Sequence, residues 1–301
     1  FSTQKKIKDS KQLTDIGEGA FYDCSNLKEI ELPDALETLG PLAFAGCTAL
    51  PRVKLSGKIE TIPAYAFAQC RSLKTVEMPL QSVERVEENA FRGCSSLTGL
   101  ELPYTLVHIG ENSFVGCEKL DRVVLPLYAQ VGENAFEPGC VLKKEMEIEN
   151  GVLVAYRGKF PDVEIPQEVR LIGESAFAES SGVRYVFLPS TVRAIGPRAF
   201  EGCKDLKQVN FRFGLCTIGW RAFAGCENLG YAALPNGLEE IRSGAFRGCR
   251  NLESVFIPDS VRRIEEYAFA DCPALKEVRL PADPSGIPKN AFQGCPQVQF
   301  Q

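Results

Sequence analysis

The stretch Ile16-Gly17-Glu18-Gly19-Ala20-Phe21-Tyr22-Asp23-Cys24 decides the fold, because it recurs to the end of the chain. Its phenylalanine returns as Phe44, Phe67, Phe91, Phe114, Phe136, Phe177, Phe200, Phe223, Phe246, Phe269 and Phe292. The steps are 23, 23, 24, 23, 22, 41, 23, 23, 23, 23 and 23 residues. A fixed period in this range is the sequence signature of stacked repeats, in which each unit buries its apolar face only against its neighbours.

The cysteines obey the same period. Cys24, Cys47, Cys70, Cys94, Cys117, Cys140, Cys203, Cys226, Cys249, Cys272 and Cys295 occupy one repeat position, and Ser180 fills it in the remaining repeat. Stacked, they form a column of small buried thiols rather than a disulfide framework. No CxxC pair occurs and His108 is the only histidine, so zinc ligation has no support. Cys216 alone stands off the column, in Leu215-Cys216-Thr217-Ile218. Alternation with core positions predicts that it points outward, the one thiol open to reagents.

Seven residues after each Phe-Cys segment carry a second motif, LxxIxLP, as in Leu27 to Pro33, Leu73 to Pro79, Val183 to Pro189 and Leu252 to Pro258. Its period-2 alternation predicts a strand, and proline ends the strand because it donates nothing to a ladder. One strand per repeat, always in the same direction, gives a parallel sheet. The other half of the repeat reads VxxIGxxAFxxC, as in Val192 to Cys203. It is too short for a full helix, which predicts extended or 3₁₀ pieces, with the glycine placed for positive φ.

These residues carry a resemblance. LxxIxLPxxVxxIGxxAFxxC at 23 residues resembles the BspA-like leucine-rich-repeat family of bacterial surface proteins, over nearly all of residues 13–300. The chain departs from the general leucine-rich pattern by holding Ala35, Thr105 or Ser260 where Asn or Cys is usual. The resemblance implies a right-handed, curved leucine-rich-repeat solenoid of about thirteen coils. A parallel sheet would line its concave face, with short extended or 3₁₀ segments on the convex one. It also implies a secreted or cell-surface location in bacteria and, for some members, adhesion to host proteins.

The 41-residue step breaks the period. Phe160 to Pro166 is itself a good LxxIxLP, and Lys143, Met146 and Ile148 fit a preceding strand. Between them, Asn150-Gly151-Val152-Leu153-Val154-Ala155-Tyr156 reads as a hairpin. A similar GVLxxY hairpin opens arrays in the family. We expect a hairpin insertion near 146–158 inside one solenoid covering 1–301, with 141–159 as the alternative seam between sub-arrays 13–140 and 160–300. The ends show only a partial leading coil, Leu13 to Ile16, and a final strand at Val298 to Gln301 without a polar cap. The chain is therefore expected to be part of a longer protein, monomeric, with the uncapped strand open to end-to-end contact.

Composition excludes several functions. The net charge of −5 provides no basic stripe for nucleic acid. No run of 18 apolar residues could span a membrane. No phosphate loop occurs, no cofactor is indicated, and a single histidine on the outward side of the Leu106-Val107-His108-Ile109 segment makes no catalytic set. Glu18, Glu111, Glu133 and Glu174 read as decoration of a solvated face, and Trp220, the only tryptophan, as a partly covered surface ring.

Two features of the outward strand positions depart from a bland surface. Glu145, Glu147, Asp162 and Glu164 form a four-carboxylate block if the strands at 143–148 and 160–165 are neighbours in register. Glu145 would then face Asp162, and Glu147 would face Glu164, about 4.8 Å apart. Such a block suits a basic partner or a weakly held calcium ion, or is charge relieved by Lys144 or Arg122. Beside it, Tyr185, Phe187, Tyr231 and Phe256, with Arg184, form an aromatic group of the kind enriched at interfaces. Cross-strand stabilisation of the sheet explains them equally well. The function these readings favour is non-enzymatic binding of a protein or glycan at a cell surface. The alternatives are an architectural spacer and a polysaccharide-active enzyme built on the acids.

Overall fold

A computed structural model describes residues 12–178 and 180–300. The chain is a parallel-strand solenoid of about 12 turns that matches a leucine-rich-repeat solenoid. It packs as two compact units, Phe1–Glu145 and Met146–Gln301. No α-helix occurs among the described residues.

Most turns carry two short strands where the sequence predicted one. The LxxIxLP motif supplies the first. In the first unit Arg52–Lys54 pairs with Thr75–Glu77, and Arg122–Leu125 with Val141–Lys144. In the second unit Asp162–Glu164, Tyr185–Phe187 and Gln208–Asn210 form one sheet. Tyr231–Ala233, Ser254–Phe256, Glu277–Arg279 and Gln299–Phe300 form another. Every pair is parallel and in register. The central valine or alanine is buried and its flanks face solvent, as alternation requires.

The VxxIG half supplies the second strand, two residues long, with the isoleucine buried. Thr61–Ile62, Arg85–Val86, His108–Ile109 and Gln130–Val131 form one such ladder. Leu171–Ile172, Ala194–Ile195, Thr217–Ile218, Glu240–Ile241 and Arg263–Ile264 form another. The expected extended pieces are therefore hydrogen-bonded sheets. The rest of that half is a series of turns rather than 3₁₀ helix.

The core is a set of columns. Phe21, Phe44, Phe67, Phe91, Phe114 and Phe136 stack with nearly parallel rings, adjacent centroids lying 4.9 to 5.3 Å apart. In the second unit the column runs from Phe177 to Phe292, and Tyr156 heads it, 4.7 Å from Phe177. Beside the rings runs the thiol column. Cys70 Sγ donates to the Phe44 carbonyl at 3.1 Å, Cys203 to Phe177 at 2.9 Å and Cys226 to Phe200 at 3.1 Å. The thiol is thus a second donor to a carbonyl of the preceding turn, which also accepts the amide three residues on, as Phe44 does from Cys47 and Phe177 from Ser180. All twelve cysteines are free. Burial pushes the Cys70 and Cys203 thiols up to about 12, because a thiolate in this column would lose its solvation.

The IG glycine has a different reason from the one expected. At Gly110 and Gly219 φ is not positive; instead, an added Cβ at Gly219 would lie 2.7 Å from the Gly196 carbonyl carbon. The glycine lets successive turns approach backbone to backbone. Positive φ falls two residues later, at Asn112 and Arg221, and on the glycine before the cysteine, as at Gly202.

The irregular region corrects the register read from sequence. The strand slot after Arg122–Leu125 is taken by Val141–Lys144, not by residues 143–148. Met146–Glu149 instead folds back antiparallel on Val152–Tyr156, with a bulge between Glu147 and Ile148. The hairpin consumes residues that the sequence assigned to a full turn, which is why the turns number about 12. Val152–Tyr156 then pairs parallel with Leu171–Ile172 and so starts the second unit's ladder.

Candidate functional site

The four-carboxylate block does not assemble. Glu145 is buried rather than displayed; its Oε1 accepts from the Leu127 amide at 3.2 Å, and its other oxygen has no partner. Burial raises its pKa above the ordinary carboxylate value. Glu147 sits on the hairpin opposite Ala155 and is ion-paired with Arg157. Only Asp162 and Glu164 stand on an exposed strand, and their neighbours there are aromatic. Asp162 pairs with Tyr185 and Glu164 with Phe187. Among the described residues no group of three or more His, Cys, Asp or Glu side chains could hold a metal. The calcium reading fails because antiparallel pairing takes Glu147 away from Glu164.

The aromatic residues are where the strands put them, on the solvent side, in two pairs. Tyr185 and Phe187 are 36% and 40% exposed, on either side of the buried Val186. On the next strand they face Gln208 and Asn210. Tyr231 and Phe256 belong to the following sheet and are diagonal to each other, since Tyr231 faces Ser254 and Phe256 faces Ala233. Arg279 lays its guanidinium over the Phe256 ring at 4.5 Å. Arg184, exposed, precedes its strand; its amide donates to the Pro161 carbonyl at 2.7 Å, and its carbonyl accepts from Lys207 at 2.8 Å. The Gln208–Asn210 strand, which carries no aromatic side chain, separates Tyr185–Phe187 from Tyr231–Ala233, and the Gly230 amide donates to the Lys207 carbonyl at 3.3 Å just ahead of Tyr231.

Residues that sequence reasoning missed adjoin Phe187. In the turn after Gln208–Asn210 the usual Leu-Pro is replaced by Phe211-Arg212, followed by Phe213-Gly214. Phe211 takes the buried leucine slot and meets Phe223 edge-on at 5.8 Å. Phe213 is 73% exposed, the highest value for a large apolar side chain among the described residues. Glu164, Gln167, Phe187, Ser190, Arg212 and Phe213 line a groove of about 440 Å³. The signal was readable as a missing proline at position 212.

Other singled-out residues have modest surroundings. His108 is half-buried, its Nε2 4.0 Å from a Glu87 oxygen. Trp220 is a half-exposed ring covered by the Arg198 guanidinium at 4.5 Å, while Arg198 and Arg221 both pair with Glu201. Cys216 is half-buried, not fully outward, and its thiol donates to the Gly214 carbonyl at 3.3 Å. Cys24 and Cys140 share its partial exposure.

No curated protein matches the chain significantly. Among solved structures it is similar to a leucine-rich cell surface protein of Faecalibacterium prausnitzii, at 25% identity over 93% of this chain and 86% of that one, TM-score 0.45. It is also similar to the leucine-rich-repeat protein of T. pallidum, at 32% identity over 50% of this chain and 72% of that one, TM-score 0.46. A leucine-rich-repeat protein of Bacteroides ovatus shares 24% identity over 96% and 87% of the two chains, TM-score 0.43. The model of the BspA type leucine-rich-repeat region matches in six copies, across residues 14–143, 84–207, 146–231 and 170–299. With its repeat matched along almost its whole described length, the chain belongs to the BspA-type leucine-rich-repeat family.

Proposed function

We propose that the chain is a non-enzymatic binding module that works at the bacterial cell surface. It takes a protein or glycan on the exposed strand positions of the second unit, at Tyr185, Phe187, Tyr231, Phe256 and Arg184. The observation that carries this reading is the exposure of four large rings, 36% to 48%, at positions the fold does not need to be apolar. Equivalent strand places hold Thr75, Glu77, Gln208 and Asn210 with the same buried centre. Exposed aromatic side chains supply large contact area at low entropic cost and are enriched where proteins bind. Family membership supports the surface location. Of the four acids behind the enzyme reading, Glu145 is buried and Glu147 pairs with Arg157, while Asp162 and Glu164 remain exposed.

The test replaces Tyr185, Phe187, Tyr231 and Phe256 together with serine. Wild type and variant are compared on a panel of extracellular-matrix proteins and an oligosaccharide array. Loss of binding with an unchanged melting temperature supports the reading. Full binding by the variant moves the site elsewhere.

A further inference from the structure

We propose that the groove between Phe187 and Phe213 is a subsite for a neutral glycan chain. The proposal rests on the binding-module reading above and names the ligand class for one part of that face. Its walls are two exposed phenyl rings, and its rim carries four polar side chains, Glu164, Gln167, Ser190 and Arg212. Among the described residues no ion pair or side-chain hydrogen bond engages any of these four, which leaves their polar groups open to a ligand. A pyranose has a matching division. Its C–H face is apolar and packs on an aromatic ring, while its hydroxyls both donate and accept. The Glu164 carboxylate accepts from a hydroxyl, the Arg212 guanidinium donates to one, and the Gln167 amide and Ser190 hydroxyl do both.

Charge balance gives charged sugars no preference here, and backbone pairing closes the groove to a peptide bound by strand addition. One anion and one cation face the groove, so an acidic sugar loses at Glu164 what it gains at Arg212, an amino sugar the reverse, and neither has a net electrostatic advantage over a neutral chain. A peptide that adds a strand needs a free sheet edge. Here Tyr185–Phe187 is hydrogen-bonded on both sides, to Asp162–Glu164 and to Gln208–Asn210. The volume lies within the range of small-ligand sites, about 300 to 1,000 Å³.

The groove is also held in place. Gly214 has φ +109° and is pressed so closely on the preceding turn that an added Cβ would lie 2.6 Å from the Ser190 carbonyl oxygen. The Arg193 guanidinium donates to the Gly214 carbonyl at 3.3 Å. This contact fixes the loop that carries Arg212 and Phe213 against the turn that carries Ser190. The backbone that carries the ring is therefore positioned before a ligand arrives, which lowers the ordering cost of binding.

The experiment titrates the full chain by calorimetry with hexasaccharides of glucose, xylose, mannose and N-acetylglucosamine, and with galacturonate and glucosamine hexamers as charged probes. Phe213→Ala, Arg212→Ala and Glu77→Ser are compared, each first shown to melt as the wild type does. The expected result is binding of at least one neutral hexamer. Phe213→Ala should weaken it by about tenfold or more, and Glu77→Ser, on an exposed strand of the first unit, should leave it within about twofold. Tighter binding of either charged hexamer overturns the neutral class. A neutral hexamer bound equally by Phe213→Ala overturns the groove. If no hexamer binds while a matrix protein does, with a dependence on Tyr231 and Phe256, the glycan subsite is wrong and the binding-module reading survives. If nothing binds and the quadruple serine variant behaves as wild type throughout, both are wrong.

Discussion

In the first unit the exposed positions of paired strands include Arg52, Lys54, Thr75 and Glu77, with the aliphatic Val141 and Leu142 on its last strand; in the second they include the aromatic Tyr185, Phe187, Tyr231 and Phe256. Beneath these side chains the two units are built alike. Each has a column of phenyl rings about 5 Å apart, a column of thiols bonded to phenylalanine carbonyls, and a second ladder of two-residue strands. The buried positions are set by the need to stack one turn on the next and so repeat almost unchanged. The exposed positions answer to nothing in the fold. A departure at a buried position is therefore a matter of stability, and a departure at an exposed one is where recognition can be encoded.

The comparison fails most visibly if the two columns are not equivalent, and alkaline titration is the harshest challenge. A thiol ionises at its ordinary value of 9.0 in the unfolded chain but at about 12 in Cys47, Cys70 and Cys117 of the first unit and Cys203 of the second. The folded value is raised, so the stability these groups contribute is complete below pH 9 and falls as pH rises towards 12. Each buried thiol adds about 1.4 kcal/mol per pH unit to the slope. Several act together, so both units should unfold within that window, as followed by circular dichroism in reducing buffer. Survival of either unit at the upper end would mean its thiols do not stay protonated in the fold.

Deleting a ring is the next largest effect. Phe67→Ala and Phe223→Ala each open a cavity in a stack pinned on both sides, and each should cost about 3–5 kcal/mol in guanidinium unfolding. Equal losses are expected, because both rings are fully buried between two parallel neighbours. A smaller effect distinguishes close approach from turn geometry. Gly110→Ala and Gly219→Ala place a Cβ 2.5 Å from the Glu88 nitrogen and 2.7 Å from the Gly196 carbonyl carbon. They should cost about 1–3 kcal/mol, as overpacking does. Gly57→Ala, with nothing within 4 Å, should change stability by less than about 0.5 kcal/mol.

The columns were legible because each phenylalanine, cysteine and LxxIxLP appears once per turn and the period alone aligns them. The second ladder was not, since strands such as Thr217–Ile218 are two residues long and leave no alternation to read. The carboxylate block was misread for a related reason. Met146 and Ile148 alternate like a repeat strand, and nothing local distinguishes that from an arm of the hairpin that Asn150-Gly151 closes. Tyr156 replaces phenylalanine at the head of the second column, a substitution recognisable only once the hairpin is placed. The groove had a faint trace, the missing proline at Arg212, but its partners Glu164 and Phe187 lie 48 and 25 residues earlier and meet it only through register.

The claim that recognition belongs to the exposed strand positions of the second unit is tested most directly by a paired comparison of binding. One variant carries serine at Tyr185, Phe187, Tyr231 and Phe256; the other carries serine at Arg52, Lys54, Thr75 and Glu77. Both should keep the wild-type melting temperature, since all eight side chains are outside the columns. Against whichever matrix protein or oligosaccharide the wild type binds, the first variant should lose about tenfold or more in affinity and the second should stay within about twofold. Equal losses, or a larger loss in the charged first-unit variant, would contradict the account.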